Sequence, residues 1–519
     1  AAVQHFWQSP TIAETPGLKA VDMFRAVGEG RIKAIWIIHT NPVVSMPEAD
    51  RVAKALAACP FVVVQDVTQD TDTARLAHVL LPAAAWAEKS GTVTNSERRI
   101  SRQRAVLPPP GQARADWRIL AEVAQRMGWP QAFGWESPAE VFAEHASLSG
   151  IAGALGSDFD ISDHAGMTAG DYDALAPFLW PANPRQRGGR FFAEGRFHTP
   201  DGRGRMVAVL PKPVSPALPH TLNTGRIRDQ WHTMTRTGKS PRLSAHLAEP
   251  FLELHPSDAD RLGLQTAHLA EVTNPLGKAI LRVLVTDRVP PGHPFAPIHW
   301  TGQTAPSGRI DVLVAANPDP VSGQPDSKAS PVSIGTFDAR WFGFAVSIDD
   351  IRPDCPYWAK ARVSGGWRCE LAGTEAPPDW EAFARATFTF PQATALSVVD
   401  DRRGLFRVAF HQDDRLCAAM FISRQPVVLS RDLVAAQLGA RDAGGILAGR
   451  ASAKQTDPGP IICACLNVGR NAILDAIETG RAATVAALGD LLGAGTCCGS
   501  CRPELADHIA RLARREAAE

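Results

Sequence analysis

Two cysteine pairs lie close together near the end of the chain: Cys463 and Cys465 flank Ala464, and Cys498 and Cys501 flank Gly499-Ser500. Residues two apart on an extended strand point to one side, so Cys463 and Cys465 can face one ion or cluster. Cys498 and Cys501 sit in a glycine-containing turn before a helix expected from Pro503, whose amide groups favour thiolate charge. Gly495 and Gly499 give the backbone room to close around them. Three chemistries fit four neighbouring thiols: structural disulfides, a four-thiolate zinc site, or an iron–sulfur cluster with four cysteine ligands. Cys497 is a further thiol beside the second pair. Cys59, Cys355, Cys369 and Cys417 are scattered without framework spacing, which suits a reducing compartment.

What precedes the tail is too long for one core. A chain of 519 residues implies roughly three or four domains. Lys and Arg total 54 against 54 Asp and Glu, so no general electrostatic case exists for nucleic acid or an anionic membrane. Apolar runs such as "FVVV" and "AIWII" stop far short of the ~20 residues of a membrane helix. The opening "AAVQHFWQSP" has no initiator Met and no signal-peptide pattern, so the chain reads as one entered in the middle.

Residues 1–145 alternate strand and helix signals. "IKAIWIIHTNP" is an apolar run ending at an Asn-Pro turn, a helix follows from Glu48 to Ala58, and "FVVVQD" is a second buried strand. "TARLAHVLLPAAAW" gives a helix-to-strand step and "DWRILAEVAQRMGW" an amphipathic helix. This alternation predicts an α/β domain with a doubly wound parallel sheet. Ligands meet such sheets at the carboxyl ends of strands, which singles out Asn41, Gln65 and Asp66. Residues 146–215 read as an irregular connecting region. Residues 216–330 predict a β-barrel-like domain, with a helix capped by Ser257 or Asp258 and half-buried strands around Asn274-Pro275-Leu276-Gly277. Residues 331–455 read as an α+β linker region. It carries one hairpin over 404–423, with Asp413-Asp414 near its turn, and ends in a polar stretch, "RASAKQTDPGP". Residues 456–519 form the small helical cysteine domain.

The tail's "CACLNVGRNAIL" and "GAGTCCGSCRPEL" resemble the bacterioferritin-associated-ferredoxin type of 2Fe–2S domain, and the hairpin resembles the segment before that module in nitrite reductases. The resemblance implies an electron-transfer module with Cys463, Cys465, Cys498 and Cys501 as ligands. Upstream, "AAWAEKSGTVTNSERRI" and "LNTGRIRDQWHTMTRTGKSPRLSAHLAEPFLELHPSDA" resemble the bis-molybdopterin guanine dinucleotide oxidoreductases. With "PIHW" and the tail, the combination is closest to the cytoplasmic assimilatory nitrate reductase branch. The barrel is then double-psi-like, and the cofactors are bis-molybdopterin guanine dinucleotide with molybdenum, the 2Fe–2S cluster, and a 4Fe–4S cluster in an absent N-terminal part.

By position, Asn41, Gln65, Asp66, Lys89 and Asp116 match residues lining one cofactor arm. For Asp116 the competing role is a plain helix cap, and for Lys89 a solvated surface lysine. Thr224, Gly225, Arg226, Gln230, Trp231, His232 and Thr233 match the pterin and pyrophosphate segment, and "DPVSGQPDSK" places Lys328 near the cofactor. Asp311 stands where relatives commonly have Asn, and a carboxylate cannot donate as an amide does. The branch implies nitrate as substrate and ferredoxin, flavodoxin or an NADH-oxidising flavoprotein as donor, with no nucleic acid or membrane partner. The catalytic residues and the molybdenum ligand are not assigned, and this chain alone is expected to be inactive. Rival readings are a formate dehydrogenase or other oxyanion reductase, a non-catalytic electron-transfer or cofactor-binding module, and a zinc-stabilised interaction tail.

Overall fold

Ile35 and Ile37 on one strand pair with Val62 and Val64 on the next, so one face of the N-terminal sheet is aliphatic. In this computed structural model, which describes residues 1–208, 217–441, 445–450 and 456–516, strands Ala34–Ile38, Phe61–Asp66 and Val79–Pro82 run parallel in that order. Helices Ala20–Gly28 and Ala49–Ala58 cover the aliphatic face with Phe24, Val27, Val52 and Leu56. The three strands end on one edge, where Gln65 and Asp66 meet the turn that follows Ile38. Of the polar stretch expected before the tail, 451–455 lies outside the described residues.

The region expected to be irregular is partly regular. Helix Pro138–Ala154 enters it, with the Ser137 hydroxyl accepting from the Glu140 amide at its start. Small and apolar residues surround this helix, so no single stripe marks it in the sequence. Its Phe142 and Ala146 pack with Ile100, Ile161 and Tyr172.

Next comes a closed barrel of six strands, ordered Phe251–Leu254, Gly277–Val285, Leu269–Asn274, Ser330–Thr336, His220–Gly225 and Phe295–Pro297. The last strand closes it, running parallel to Asn223–Gly225 and meeting Glu253 antiparallel. Leu222, Leu252, Leu254, Leu281 and Val332 fill the interior. The helix Pro256–Leu262 is capped by His255, whose ring nitrogen accepts from the Ser257 amide at 3.2 Å, rather than by Ser257 or Asp258. Asp258 is occupied elsewhere, accepting from Arg261 and from the Gly292 amide.

Residues 331–455 are far more regular than a linker with one hairpin. Six antiparallel strands form a sheet ordered Tyr357–Val363, Gly366–Gly373, Trp341–Ser347, Arg415–Ser423, Leu405–Gln412 and Thr394–Asp400. The hairpin sits where the sequence places it, with Asp413 and Asp414 both at positive φ in the turn. The central strands are buried on both faces, so they lack the period-two alternation that marks a half-buried strand.

Buried charge joins barrel and sheet. Arg282 donates to Glu249 at 3.1 Å, Tyr357 donates to Glu249 at 2.6 Å, and Arg431 donates to Glu370 at 2.9 Å. Arg282 also lies 3.8 Å from Glu370, completing the link. Burial alone would push the Glu370 carboxyl up, but Arg431 and Arg282 outweigh it and hold it below its ordinary value. Replacing Glu370 with Ala strands the Arg431 guanidinium, while Arg282 keeps Glu249, and costs about 3–5 kcal/mol. Urea unfolding checks this, and a loss below ~1 kcal/mol would remove the network as the joint between barrel and sheet.

Candidate functional site

At the carboxyl edge of the parallel sheet, Asp116 gathers three donors. His39 Nε2 lies 2.5 Å from one carboxylate oxygen, Gln65 Nε2 donates to the same oxygen at 2.8 Å, and Lys89 Nζ donates to the other. Burial would raise the Asp116 pKa, but these partners hold it well below the carboxylate range. Asp116 is the first residue of helix Asp116–Arg126 and makes no cap. The structure therefore brings Gln65, Lys89 and Asp116 together, and adds His39. The strand-end rule that singles out Asn41 also covers His39, two residues earlier at positive φ.

Of the other two sequence-selected residues Asn41 stands apart, and Asp66 reaches the group through His39, whose Nδ1 is 4.0 Å from its carboxylate. Asn41 is buried, and its side-chain oxygen accepts from the Thr73 amide at 3.2 Å and from its hydroxyl at 2.7 Å. Asp66 accepts from the Val67 amide, and burial raises its pKa. One feature at this edge asks for a ligand. Gln65 is fully buried, yet its carbonyl oxygen has no partner among the described residues. A buried orphan acceptor is costly unless an incoming NH group satisfies it.

The second group rises from the barrel. Lys328 donates to the Thr224 carbonyl, and the Thr224 hydroxyl donates to the Ser327 carbonyl. Gly225 has no room for a side chain, because a Cβ there would sit 2.9 Å from the Phe295 ring. Arg226, Trp231 and His232 are exposed, with the Arg226 guanidinium 5.5 Å from the Trp231 ring centre. Gln230 is buried and donates to the Leu243 carbonyl at 3.3 Å, while its own oxygen is another orphan. His299 of "PIHW" holds this loop: the Ile227 amide donates to its Nε2 at 3.0 Å, and its Nδ1 donates to the His232 carbonyl at 2.7 Å. Thr233 of this loop lines a cleft of about 510 Å³ together with Thr68, Arg75, Lys239, Thr301 and Lys360 among others. The Gly302 amide, in its lining, donates to Asp72 at 3.0 Å.

The third group is the cysteine tail. Strand Ile461–Cys463 ends at the first thiol, and helix Arg502–Glu516 begins just after Cys501. Gly495 and Gly499 adopt φ of 81° and 74°, as a close turn around the thiols requires. Cys465 Sγ lies 3.2 Å from Cys498 Sγ, well outside the ~2.05 Å of a disulfide, and Cys501 neighbours Cys463. Cys463 and Cys501 are buried, whereas Cys498 and Cys497 are exposed. The free thiols thus meet as two contacts, Cys465 with Cys498 and Cys463 with Cys501, and among the described residues no three metal-ligating side chains converge on one point.

Comparisons with known proteins follow these three groups. Residues 8–126 match the molybdopterin oxidoreductase model, 221–331 the molydopterin dinucleotide binding domain, and 461–511 the BFD-like [2Fe-2S] binding domain. A nitrate reductase of Klebsiella oxytoca is 42% identical over 510 residues, 96% of this chain and 58% of that protein. A nitrate reductase of Shewanella frigidimarina is 40% identical over 358 residues, covering 63% of this chain and 38% of its own length. A formate dehydrogenase subunit alpha of Methanococcus maripaludis is 31% identical over 325 residues, 61% of this chain and 45% of its own length. The chain thus spans little more than half the length of the first of these relatives and less of the others.

Asp311 gives this site a pH dependence. Burial pushes its carboxyl up to about 7, against the pull of Lys328 and Arg309. A raised folded pKa contributes stability at low pH that is lost as pH rises through the folded value. The loss starts near the ordinary carboxylate value and is complete above about 7, so Asp311→Asn is expected to raise the melting temperature at pH 8 and to raise it by clearly less at pH 5. Equal effects at both pH values in a thermal scan would contradict this assignment.

Proposed function

We propose that this chain, which belongs to the molybdopterin oxidoreductases, serves a molybdenum-dependent enzyme that reduces nitrate to nitrite for assimilation, with electrons entering through a 2Fe–2S cluster in its tail. The observation that carries this reading is the match to the Klebsiella nitrate reductase, which runs over 96% of the chain and so takes in both cofactor segments and the cysteines together. The orphaned oxygens of Gln65 and Gln230 and the free thiols of Cys465 and Cys498, 3.2 Å apart, support it from the chain's own chemistry.

In this reading Gln65 accepts from guanine NH groups at one cofactor arm while Asp116 keeps Lys89 and His39 aligned beside it. Asp66 closes the same strand end, and Asn41 anchors the Thr73 loop below. On the barrel side, Arg226 offers charge to a pyrophosphate, with Trp231, His232 and Thr233 as neighbouring donors and Lys328 fixing the strand end at Thr224 and Gly225. Cys463, Cys465, Cys498 and Cys501 hold the 2Fe–2S cluster. When bound, the molybdenum cofactor supplies the centre at which nitrate takes up two electrons and two protons to give nitrite and water. The reading implies a 4Fe–4S cluster as a further electron carrier of the enzyme, a ferredoxin, a flavodoxin or an NADH-oxidising flavoprotein as donor, and a place in the cytoplasm.

The second reading, a formate dehydrogenase, draws on the Methanococcus relative. Assaying the holoenzyme for viologen-driven nitrate reduction and for formate oxidation separates the two. Nitrite formation without formate oxidation is expected, and the reverse pattern would overturn the nitrate assignment. The cofactor arm has its own test. Removing the Asp116 carboxylate breaks charged hydrogen bonds worth about 1.5–3 kcal/mol each, so Asp116→Ala should weaken cofactor retention roughly ten- to hundredfold. Guanine nucleotide released per chain measures this, and wild-type retention would exclude Asp116 from the arm.

A further inference from the structure

Arg228 belongs to the exposed cofactor-side loop of the barrel, yet its guanidinium turns away toward the tail. It donates to Asp229 at 2.7 Å, to the Ile462 carbonyl at 2.7 Å and to Glu504 at 2.8 Å. His246 completes the cluster, with Nδ1 3.1 Å from Asp229 and Nε2 3.3 Å from Glu504. Ile462 precedes Cys463, and Glu504 lies in the first turn of the helix after Cys501. One side chain therefore grips the tail beside both cysteine pairs.

These are not ordinary surface ion pairs. The Arg228, Asp229 and His246 side chains are 18%, 8% and 10% exposed. Burial would lift the Glu504 pKa, but His246 and Arg228 outweigh it and hold the carboxyl down at about 2. Charge-assisted bonds from a planar guanidinium fix geometry as well as energy. By contrast, the other tie between tail and barrel, Arg511 to Asp287 at 3.4 Å, is solvent-exposed and contributes little.

The thiols are arranged asymmetrically about this grip. Cys463 and Cys501 are 3% and 2% exposed, packed in the tail's own core with Ile473 and Leu505, while Cys498 opens to solvent. We propose that Arg228, with Asp229, His246 and Glu504, is a latch that docks the cysteine tail on the dinucleotide-binding domain and sets the path between them. The latch ties the chain beside Cys463 and the helix after Cys501 to the cofactor loop, and leaves the exposed Cys498 to an electron donor. Arg228 and Glu504 are positioning residues. Docking stands on the geometry alone, and only its role in electron transfer rests on the nitrate reductase reading.

The test uses the holoenzyme and Glu504→Gln, which lies outside the cofactor loop, with Arg511→Ala as control and Arg228→Lys as a second variant that keeps charge but loses the fork. Two readouts are taken: amide hydrogen exchange over 226–232 and 461–469, and the rate at which nitrate reoxidises the dithionite-reduced cluster. At unchanged iron content, Glu504→Gln and Arg228→Lys are expected to raise exchange in both segments. Both should slow reoxidation at least tenfold with nitrate KM unchanged, while Arg511→Ala behaves as wild type. Unchanged exchange in both variants would overturn the latch, and raised exchange with wild-type reoxidation would overturn its positioning role. If nitrate fails to reoxidise even the wild-type cluster, the nitrate reading and the positioning role fall, while exchange still decides docking.

Discussion

Both ring nitrogens of His299 are committed to one loop, and the functional end of the molecule depends on that commitment. Its Nε2 takes the Ile227 amide and its Nδ1 gives to the His232 carbonyl, which fixes the neutral tautomer. Burial lowers the His299 pKa, so the ring stays in the form that can do both. His299 itself sits two residues beyond the strand that closes the barrel. Barrel closure thus places the histidine, and the histidine pins the loop that carries Arg226, Trp231 and His232 on one side and Arg228 on the other. From Arg228 the order passes to the tail. A single buried imidazole connects the barrel core to the cysteine domain through three short steps.

Charge in this chain is balanced overall but sorted locally. At Asp116 one carboxylate answers three donors, at Glu370 one carboxylate stands among arginines, and around Arg228 the signs alternate. Each cluster lies at a junction: between the parallel sheet and helix Asp116–Arg126, between barrel and antiparallel sheet, and between barrel and tail. Buried ion pairs give little net stability compared with apolar packing but penalise any misfit strongly. They specify how domains meet, a task that a non-directional apolar contact does poorly.

The parallel strands were legible because continuous apolar runs ended at polar turns, and the barrel because Asn274 and Gly277 marked its hairpin. The six-stranded sheet was hidden for a physical reason: Trp341–Ser347 and its partner strand are buried on both faces and carry Ala, Gly and Phe without alternation. Helix Pro138–Ala154 escaped notice because its apolar residues wrap all round. Among the candidate site residues, Gln65, Lys89 and Asp116 converge as their strand and helix ends imply. His39 and His299 were missed because single histidines carry no period, and only three-dimensional pairing gives them roles. Arg228 was passed over inside a string whose neighbours drew the chemical argument. Its partners at Ile462 and Glu504 lie more than two hundred residues away, beyond any local pattern.

The central claim is that the four thiols form one iron–sulfur site held against the barrel. The measurement that tests it most directly is iron, sulfide and zinc analysis with electron paramagnetic resonance of the dithionite-reduced 519-residue chain, purified without oxygen. The account predicts two irons and two sulfides per chain and a paramagnetic reduced cluster. Cys463→Ser or Cys498→Ser should abolish that cluster, and Cys497→Ser should leave it intact. A colourless chain with one zinc and no paramagnetic signal would contradict the account, leaving a structural tail that carries no electrons.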